Sequence, residues 1–400
     1  AGWDRMWYVH SQAATRVYRP IALPAGRPRG SGRVLPAAGA DLKKPLKCVI
    51  LKPGFSPISQ QRMRIEMKKN YRVGLIGCGV MAEVHASHIH CLDSVTVAYA
   101  CDSHLEKAAA FQKKYHIEQI TADYLDILRD PTVDIVIIAT PPSTHLSIFQ
   151  DCLRYGKHVL CEKPITNTLA DAEAFVRAAK EHPECKVLIG NILRHNKSYQ
   201  KMAEIIHSGA LGKPLVFRMA QNHHTMNWPL YLANLSDSAP LVNCGIHYVD
   251  VMEWFSGEKA VQVQAMGCRT EDDVPQDTYN YGIMTIRFDG GSMGYYEAGW
   301  ANTCSSDNTK EIIGPKGRLK LIYQKDRLYN AEEGDLIEWY KYPEKEYVTI
   351  NSPCDRKPAD DQFLYLIRMI ETGCDPVPTL DHVLSCMKTC FEADRQAKQG

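Results

Sequence analysis

Residues 71–82 read Tyr-Arg-Val-Gly-Leu-Ile-Gly-Cys-Gly-Val-Met-Ala, and a second apolar run, from Val95, ends in an acid at Asp102. This constrains the fold more than any other feature of the chain. Val73, Leu75 and Ile76 have the texture of a buried strand. Gly77-Cys78-Gly79-Val80-Met81-Ala82 then fits a turn that presents backbone amides and a helix N-terminus to a pyrophosphate. Gly77 permits the turn, Gly79 leaves room for the phosphates, and Ala82 lets helix and strand approach closely. Asp102 follows Ala82 by 20 residues, where a carboxylate can accept from both ribose hydroxyls of an adenosine. Two glycines alone mean little. Strand, turn, helix, strand and acid in that order predict a dinucleotide site.

The acid also bears on which dinucleotide. A carboxylate repels a 2′-phosphate, and neighbouring Ser103 and His104 offer no Arg or Lys to hold one. NAD is favoured over NADP.

A length of 400 residues suits two domains, and the formal charge of +1 conceals an asymmetry. Residues 1–66 hold 12 Lys or Arg against 3 Asp or Glu, whereas the remainder holds 35 against 43. The acidic body leaves no footprint for nucleic acid. Residues 18–33 are rich in Pro, Gly and Arg without hydrophobic period. Residues 1–66 therefore read as a disordered or non-native extension rather than a transit peptide or nucleic-acid arm. Met67 stands where a folded body would begin. The fourteen cysteines form no CxxC pair and no zinc spacing. Many unpaired thiols in such a chain point to a reducing cytoplasm. No apolar run of about 18 residues marks a membrane span.

From residue 71 strands and helices alternate. Helices are expected over 105–115, 123–128, 144–155 and 169–181, and strands over 133–139, 158–161 and 186–189. This alternation predicts a parallel, doubly wound sheet. Past residue 210 come strand-like runs at 214–220, 260–266, 279–288, 292–298 and 310–313, with helices at 241–255 and 361–372. Consecutive strands read as an antiparallel sheet. The fold class is thus α/β, an N-terminal doubly wound Rossmann domain followed by an α+β domain with a large, mainly antiparallel sheet. The expected boundaries are 67–190 for the nucleotide domain and 191–400 for substrate binding and oligomerisation.

Thr140-Pro141-Pro142-Ser-Thr-His145 follows one buried strand, and Glu162-Lys163-Pro164 follows the next. Ligands of doubly wound sheets bind beyond the carboxyl ends of the strands, so both segments are placed toward the nicotinamide half of the cofactor. The glycine turn with His85 three residues on, Asp102, Thr-Pro-Pro, Glu-Lys-Pro and Asn243-x-x-x-His247-x-x-Asp250 occur together in order. Residues 70–400 so resemble the family of glucose–fructose oxidoreductase and inositol dehydrogenase (Gfo/Idh/MocA).

The resemblance implies a dehydrogenase acting on a ring carbinol of a sugar, glycoside or cyclitol, including the sugar C3 hydroxyl. It implies catalytic roles for Lys163 and His247. A lysine serves as base when burial and nearby positive charge disfavour its ammonium, and an imidazole relays a proton near neutrality. Glu162, Thr140, Pro141, Pro142, His145 and Lys163 are implied cofactor contacts, with a cis Lys163–Pro164 bond. Substrate contacts are expected from Lys163, Asn243, His247, Arg194 and Trp228. Arg194 reads equally as a structural ion-pair partner, and Trp228 as a packing anchor. Asp250 reads as structural.

Inositol-dehydrogenase-like members carry Asp at the position of Asn243. An amide takes no proton, so proton transfer falls to Lys163 and His247. The His223-His224 pair lacks accompanying carboxylate or Cys ligands, so no metal is expected. Two other readings keep the scaffold: a glycosidase that oxidises C3 transiently on tightly held NAD, and a non-catalytic NAD-binding sensor. The partner expected is a small carbohydrate or cyclitol. The resemblance also implies pairing through the open face of the antiparallel sheet, as a homodimer or homotetramer.

Overall fold

The computed structural model describes residues 49–50, 70–224, 227–327, 333–353, 355 and 357–399. Of residues 1–66, where an extension is expected, only the short strand β1 (Val49–Ile50) is described; the rest lies outside the described residues. Residues 48–400 form one unit, built on two sheets.

The first sheet is wholly parallel and six-stranded. Its strands are β2 (Tyr71–Ile76), β3 (Val95–Cys101), β4 (Gln119–Thr121), β5 (Ile135–Ile138), β6 (His158–Cys161) and β7 (Val187–Ile189), in the order β4-β3-β2-β5-β6-β7. Helices α1 (Val80–Ile89), α2 (Leu105–Tyr115), α3 (Tyr124–Arg129), α4 (His145–Arg154) and α5 (Leu169–Glu181) make the crossovers. Every residue of β5 is buried, as expected of a central parallel strand covered on both faces. The order reverses between β2 and β5, and the glycine turn after β2 sits at that switch point.

Helix α6 (Lys197–His207) leads into a nine-stranded sheet in the order β1-β15-β14-β13-β12-β8-β11-β10-β9. Its strands are β8 (Val216–His224), β9 (Ala260–Cys268), β10 (Tyr281–Phe288), β11 (Met293–Ala301), β12 (Lys310–Gly314), β13 (Gly317–Ile322), β14 (Asp335–Lys341) and β15 (Glu346–Ser352). Pairing is antiparallel except between β8 and β11 and between β1 and β15. Strands β13 to β15 lie beyond the runs expected from sequence.

Helix α7 (Trp228–Leu235) precedes a helix expected to run unbroken through 241–255. The structure divides it into α8 (Pro240–Asn243) and α9 (Gly245–Ser256) at Cys244. Helix α10 (Ala359–Thr372) returns to the first sheet. Its Phe363, Leu366, Ile367 and Met369 share one core with Val73, Leu75, Ile137 and Leu160. Helix α11 (Leu380–Ala397) buries Cys386 and Cys390. Among the described residues no helix is long and apolar enough to cross a membrane.

Candidate active site

The glycine turn has the conformation its residues allow. Gly77 has φ of 91°, and a Cβ there would lie 2.6 Å from the Ala139 carbonyl oxygen. Only glycine avoids both the left-handed strain and the overlap. At Gly79, the N-cap of α1, a Cβ would meet nothing within 4 Å. That open space in front of a helix N-terminus fits a pyrophosphate. Ala82 is wholly buried, Val80 faces outward, and the Cys78 thiol is pushed up to about 12 by burial and the nearby Asp102 charge. Asp102 is anchored at the turn: Cys78 N–H donates to Oδ2 (3.0 Å) and His104 N–H to Oδ1 (2.9 Å). A carboxylate accepts about four hydrogen bonds, which leaves capacity for ribose hydroxyls.

Past the ends of β5 and β6, two residues expected at the cofactor have partners inside the protein. His145 is fully buried, with Nε2 2.8 Å from Thr140 O and Nδ1 3.0 Å from Pro164 O. It ties the Thr140-Pro141-Pro142 segment to the Glu162-Lys163-Pro164 segment. Burial lowers its basicity. Glu162 is 3 % exposed. Its Oε1 lies 2.7 Å from His85 Nε2, and its Oε2 accepts from Lys163 N–H at 3.2 Å. Both oxygens are engaged inside the protein. Burial pushes this carboxyl up, but the His85 hydrogen bond and the electrostatics of the neighbouring groups outweigh it, and the net direction is down.

Lys163 follows β6 and precedes a cis bond to Pro164. Its Nζ donates to Asn243 O (3.1 Å) and to Asn243 Oδ1 (3.3 Å). The break at Cys244 makes the first of these contacts available. In an unbroken helix Asn243 O would accept from His247 N–H, but that N–H goes to Cys244 O at 3.2 Å. One residue of the second lobe thereby offers two uncharged oxygens to a lysine of the first.

His247 is partly buried, and its buried Nδ1 has no partner among the described residues. Burial, reinforced by the positive charge of Lys163, pulls it down to about 3, against the opposing carboxylates of Glu162 and Asp250. At neutral pH it is an uncharged proton acceptor. Lys163, Asn243 and His247 thus come together between the two sheets.

Arg194 does not join them. Its Nη2 lies 2.6 Å from Asp250 Oδ1, and its guanidinium stacks on Trp254 at 4.6 Å. It forms the ion pair of its other reading, buried and holding α9. Trp228 opens α7 and donates its indole N–H to Asp273 at 2.7 Å, an anchor to the segment between β9 and β10.

Asp250, His382 and Cys386 offer metal-type atoms within 4.8 Å of one another. Arg194 and Lys259 also engage this group, Arg194 through Asp250 and Lys259 through His382 Nδ1 (2.9 Å), and two cations oppose a third. A cavity of about 320 Å³ lies apart from all of this, lined by Asn222, Tyr281, Glu297 and Cys304. Hydroxyl and amide donors of Tyr281, Tyr295 and Asn222 already engage both oxygens of Glu297.

Two residues beside the candidate site were not assigned roles from sequence. His85 marked a motif, but its partner lies 77 positions away. Lys357 places Nζ 3.5 Å from Met81 Sδ, and its charge also reaches His247. Nothing in the local pattern around residue 357 signals this.

Comparison with known proteins agrees with the geometry. Residues 71–190 match a family model described as an oxidoreductase family with an NAD-binding Rossmann fold, and residues 199–320 match the GFO/IDH/MocA C-terminal domain. The chain is 25 % identical over 275 residues to a myo-inositol 2-dehydrogenase of Thermotoga maritima, covering 68 % of this chain and 81 % of that protein. The structure of an aldose-aldose oxidoreductase from Caulobacter crescentus complexed with glycerol superimposes with a TM-score of 0.71 at 23 % identity, covering 83 % of this chain and 98 % of that one. GenD2 from gentamicin A biosynthesis, in complex with NAD, does so with a TM-score of 0.67 at 20 % identity, covering 83 % and 95 %. At these identities the two structures share the fold.

Proposed function

We infer the activity from one premise: the chain belongs to the Gfo/Idh/MocA family of oxidoreductases. It is a dehydrogenase acting on CH–OH groups. We propose that it oxidises a ring carbinol of a cyclitol or sugar, or reduces the corresponding ketone, with NAD. The observation that carries this is the meeting of Lys163 with Asn243 at 3.1 and 3.3 Å beside His247. The curated relative named above, a myo-inositol 2-dehydrogenase, supports the substrate class.

The residues around the turn fit a dinucleotide. Gly77, Gly79 and the N-terminus of α1 would hold the pyrophosphate, and Asp102 the adenosine ribose. The cofactor, when bound, supplies the hydride acceptor. Lys163 removes the hydroxyl proton as the carbinol becomes a carbonyl. Asn243 orients the lysine through uncharged oxygens, so no carboxylate from this residue holds the ammonium against deprotonation. His247, neutral in the site, accepts a substrate hydrogen bond and passes the proton outward. A buried imidazole nitrogen without a partner costs about 1–3 kcal/mol, which a substrate hydroxyl recovers.

The test is a screen of inositols, other polyols and glycosides with NAD, followed by NADH absorbance, in the wild type, Lys163→Ala and His247→Ala. Turnover by the wild type should fall about a hundredfold in Lys163→Ala, the scale of a lost acid–base group, and by a similar or smaller factor in His247→Ala. Near-wild-type rates in both variants would remove the assignment.

A further inference from the structure

His85 and Glu162 form a buried pair that the reaction chemistry above does not use. His85 is fully buried on the helix that begins at the glycine turn, and Glu162 follows the strand that leads to Lys163. Their side chains meet at 2.7 Å. The other carboxylate oxygen accepts from Lys163 N–H at 3.2 Å. Gly190, after β7, makes room for this carboxylate, because a Cβ there would stand 2.8 Å from Glu162 Oε2. Three segments distant in sequence are therefore shaped around one charge.

A carboxylate facing Nε2 calls for a proton on that nitrogen. Nδ1 of His85 is buried and has no partner among the described residues, and a second proton there would be a buried, unsatisfied donor, which is costly. With the proton on Nε2 alone, the pair is an imidazole donating to a carboxylate and carries one net negative charge. A single buried charge in a protein interior is sustained only by donors and neighbouring opposite charge. His85 and the Lys163 amide are the donors, and the Lys163 side chain is within electrostatic reach.

This charge lies at the carboxyl end of a parallel strand, the edge where the nicotinamide half of the cofactor is expected. The oxidised nicotinamide ring is cationic and the reduced ring is neutral. A fixed negative charge interacts with the first and not with the second. We propose that His85 and Glu162 are positioning residues: together they hold the Lys163 backbone and bias the site toward the oxidised cofactor. The inference rests on NAD binding as read above, but not on the identity of the substrate.

The experiment titrates wild type, Glu162→Gln, His85→Leu and His85→Gln with NAD⁺ and with NADH by calorimetry, in the absence of substrate. Glu162→Gln is nearly isosteric and removes the charge alone. It should shift the affinity ratio toward NADH by about tenfold, the scale of 1.4 kcal/mol. His85→Leu, which deprives the carboxylate of its donor, should shift the ratio the same way. His85→Gln places an amide N–H near the former Nε2 and should stay within about threefold of wild type. A structural role alone would weaken both cofactor forms together and leave the ratio fixed. An unchanged ratio in Glu162→Gln, or equal losses for both forms, overturns the proposal. Failure of the wild type to turn over any polyol would count against the substrate reading, while the ratio would still decide this one.

Discussion

Replacing Asn243 by Asp tests the arrangement most directly, because it changes charge and almost nothing else. Asn243 Oδ1 stands 3.3 Å from Lys163 Nζ. A full negative charge at that oxygen would attract an ammonium by roughly 5 kcal/mol at an effective dielectric of about 20. Both side chains are partly exposed, so water and salt reduce this attraction to about 1–3 kcal/mol. The direction is unambiguous: the new carboxylate holds the proton on Lys163. The acidic limb of the profile for alcohol oxidation should move to higher pH, and the rate near neutrality should fall about tenfold to a hundredfold. The loss should shrink as the pH is raised. The same carboxylate lifts His247 from about 3, which lets it carry a proton into ketone reduction, so the reverse rate should suffer less. The assay is a pair of pH–rate profiles, oxidation and reduction, at saturating cofactor, with NAD affinity measured separately. Superimposable oxidation profiles for wild type and Asn243→Asp, with a folded variant, would refute the claim that Lys163 is the base held by uncharged oxygens.

Three further outcomes follow from the same geometry. NAD should bind at least about tenfold more tightly than NADP, roughly 1.4 kcal/mol, and Asp102→Ser should narrow the gap; calorimetry showing NADP equal in the wild type would contradict it. Gly77→Ala should cost about 1–3 kcal/mol, because the turn needs φ of 91° and the methyl group would meet Ala139 O; thermal unfolding and NAD titration measure it, and wild-type values for both would show the turn adapts. Acid should destabilise the fold above the carboxylate range: His195 and His247 are held down, by burial first, to about 4 and about 3. The unfolded chain takes up protons on both below about pH 6.5 while the native chain does not, so stability is full above that pH and is lost as pH falls toward the folded values, by up to about 1.4 kcal/mol per unit for each group before screening. Denaturant midpoints at about pH 7 and 5 should differ accordingly, and His195→Phe should flatten the slope; a flat wild-type midpoint over that interval would be the contrary result.

How far the sequence could be read depended on how local each feature is. The β2 turn is encoded within twelve residues, since strand, glycines and helix start are contiguous, and Asp102 follows at fixed spacing. The parallel sheet was legible because each βαβ unit switches hydrophobic period within one window. Strands β13 to β15 were not. Glu346-Tyr347-Val348-Thr349-Ile350-Asn351-Ser352 pairs with β14 through backbone groups, and its polar residues obscure the alternation. Neither Arg194 nor His145 could be placed by motif. What decided each was a buried partner from another segment: Asp250 for the first, the Thr140 and Pro164 carbonyls for the second. The division of the expected helix at Cys244 could not be read locally either, because the partner of Asn243 O is a lysine 80 positions earlier.

The geometry proposed for catalysis depends on both sheets at once. Lys163 leaves the first sheet at the end of β6, but its Nζ is oriented by Asn243, which stands on the helices packed over the second. A small rotation of one lobe against the other would lengthen both Nζ contacts together, because the two acceptors belong to one residue. The chain counters this by returning. After completing the second sheet it sends α10 back, and Phe363, Leu366, Ile367 and Met369 fill the face of the first sheet behind β2, β5 and β6. Gln362 donates to Ile189 O at 3.3 Å, at the point where the chain first leaves that sheet. The two lobes are thereby joined at entry and at return. Apolar burial of four side chains, each contributing about 1.5–3 kcal/mol, ties the strand ends that carry Glu162 and Lys163 to the lobe that carries Asn243 and His247. A boundary drawn near residue 190 separates the nucleotide-binding motif from the helix that completes its core, so the packing that stabilises the motif is supplied by sequence some 170 residues beyond it.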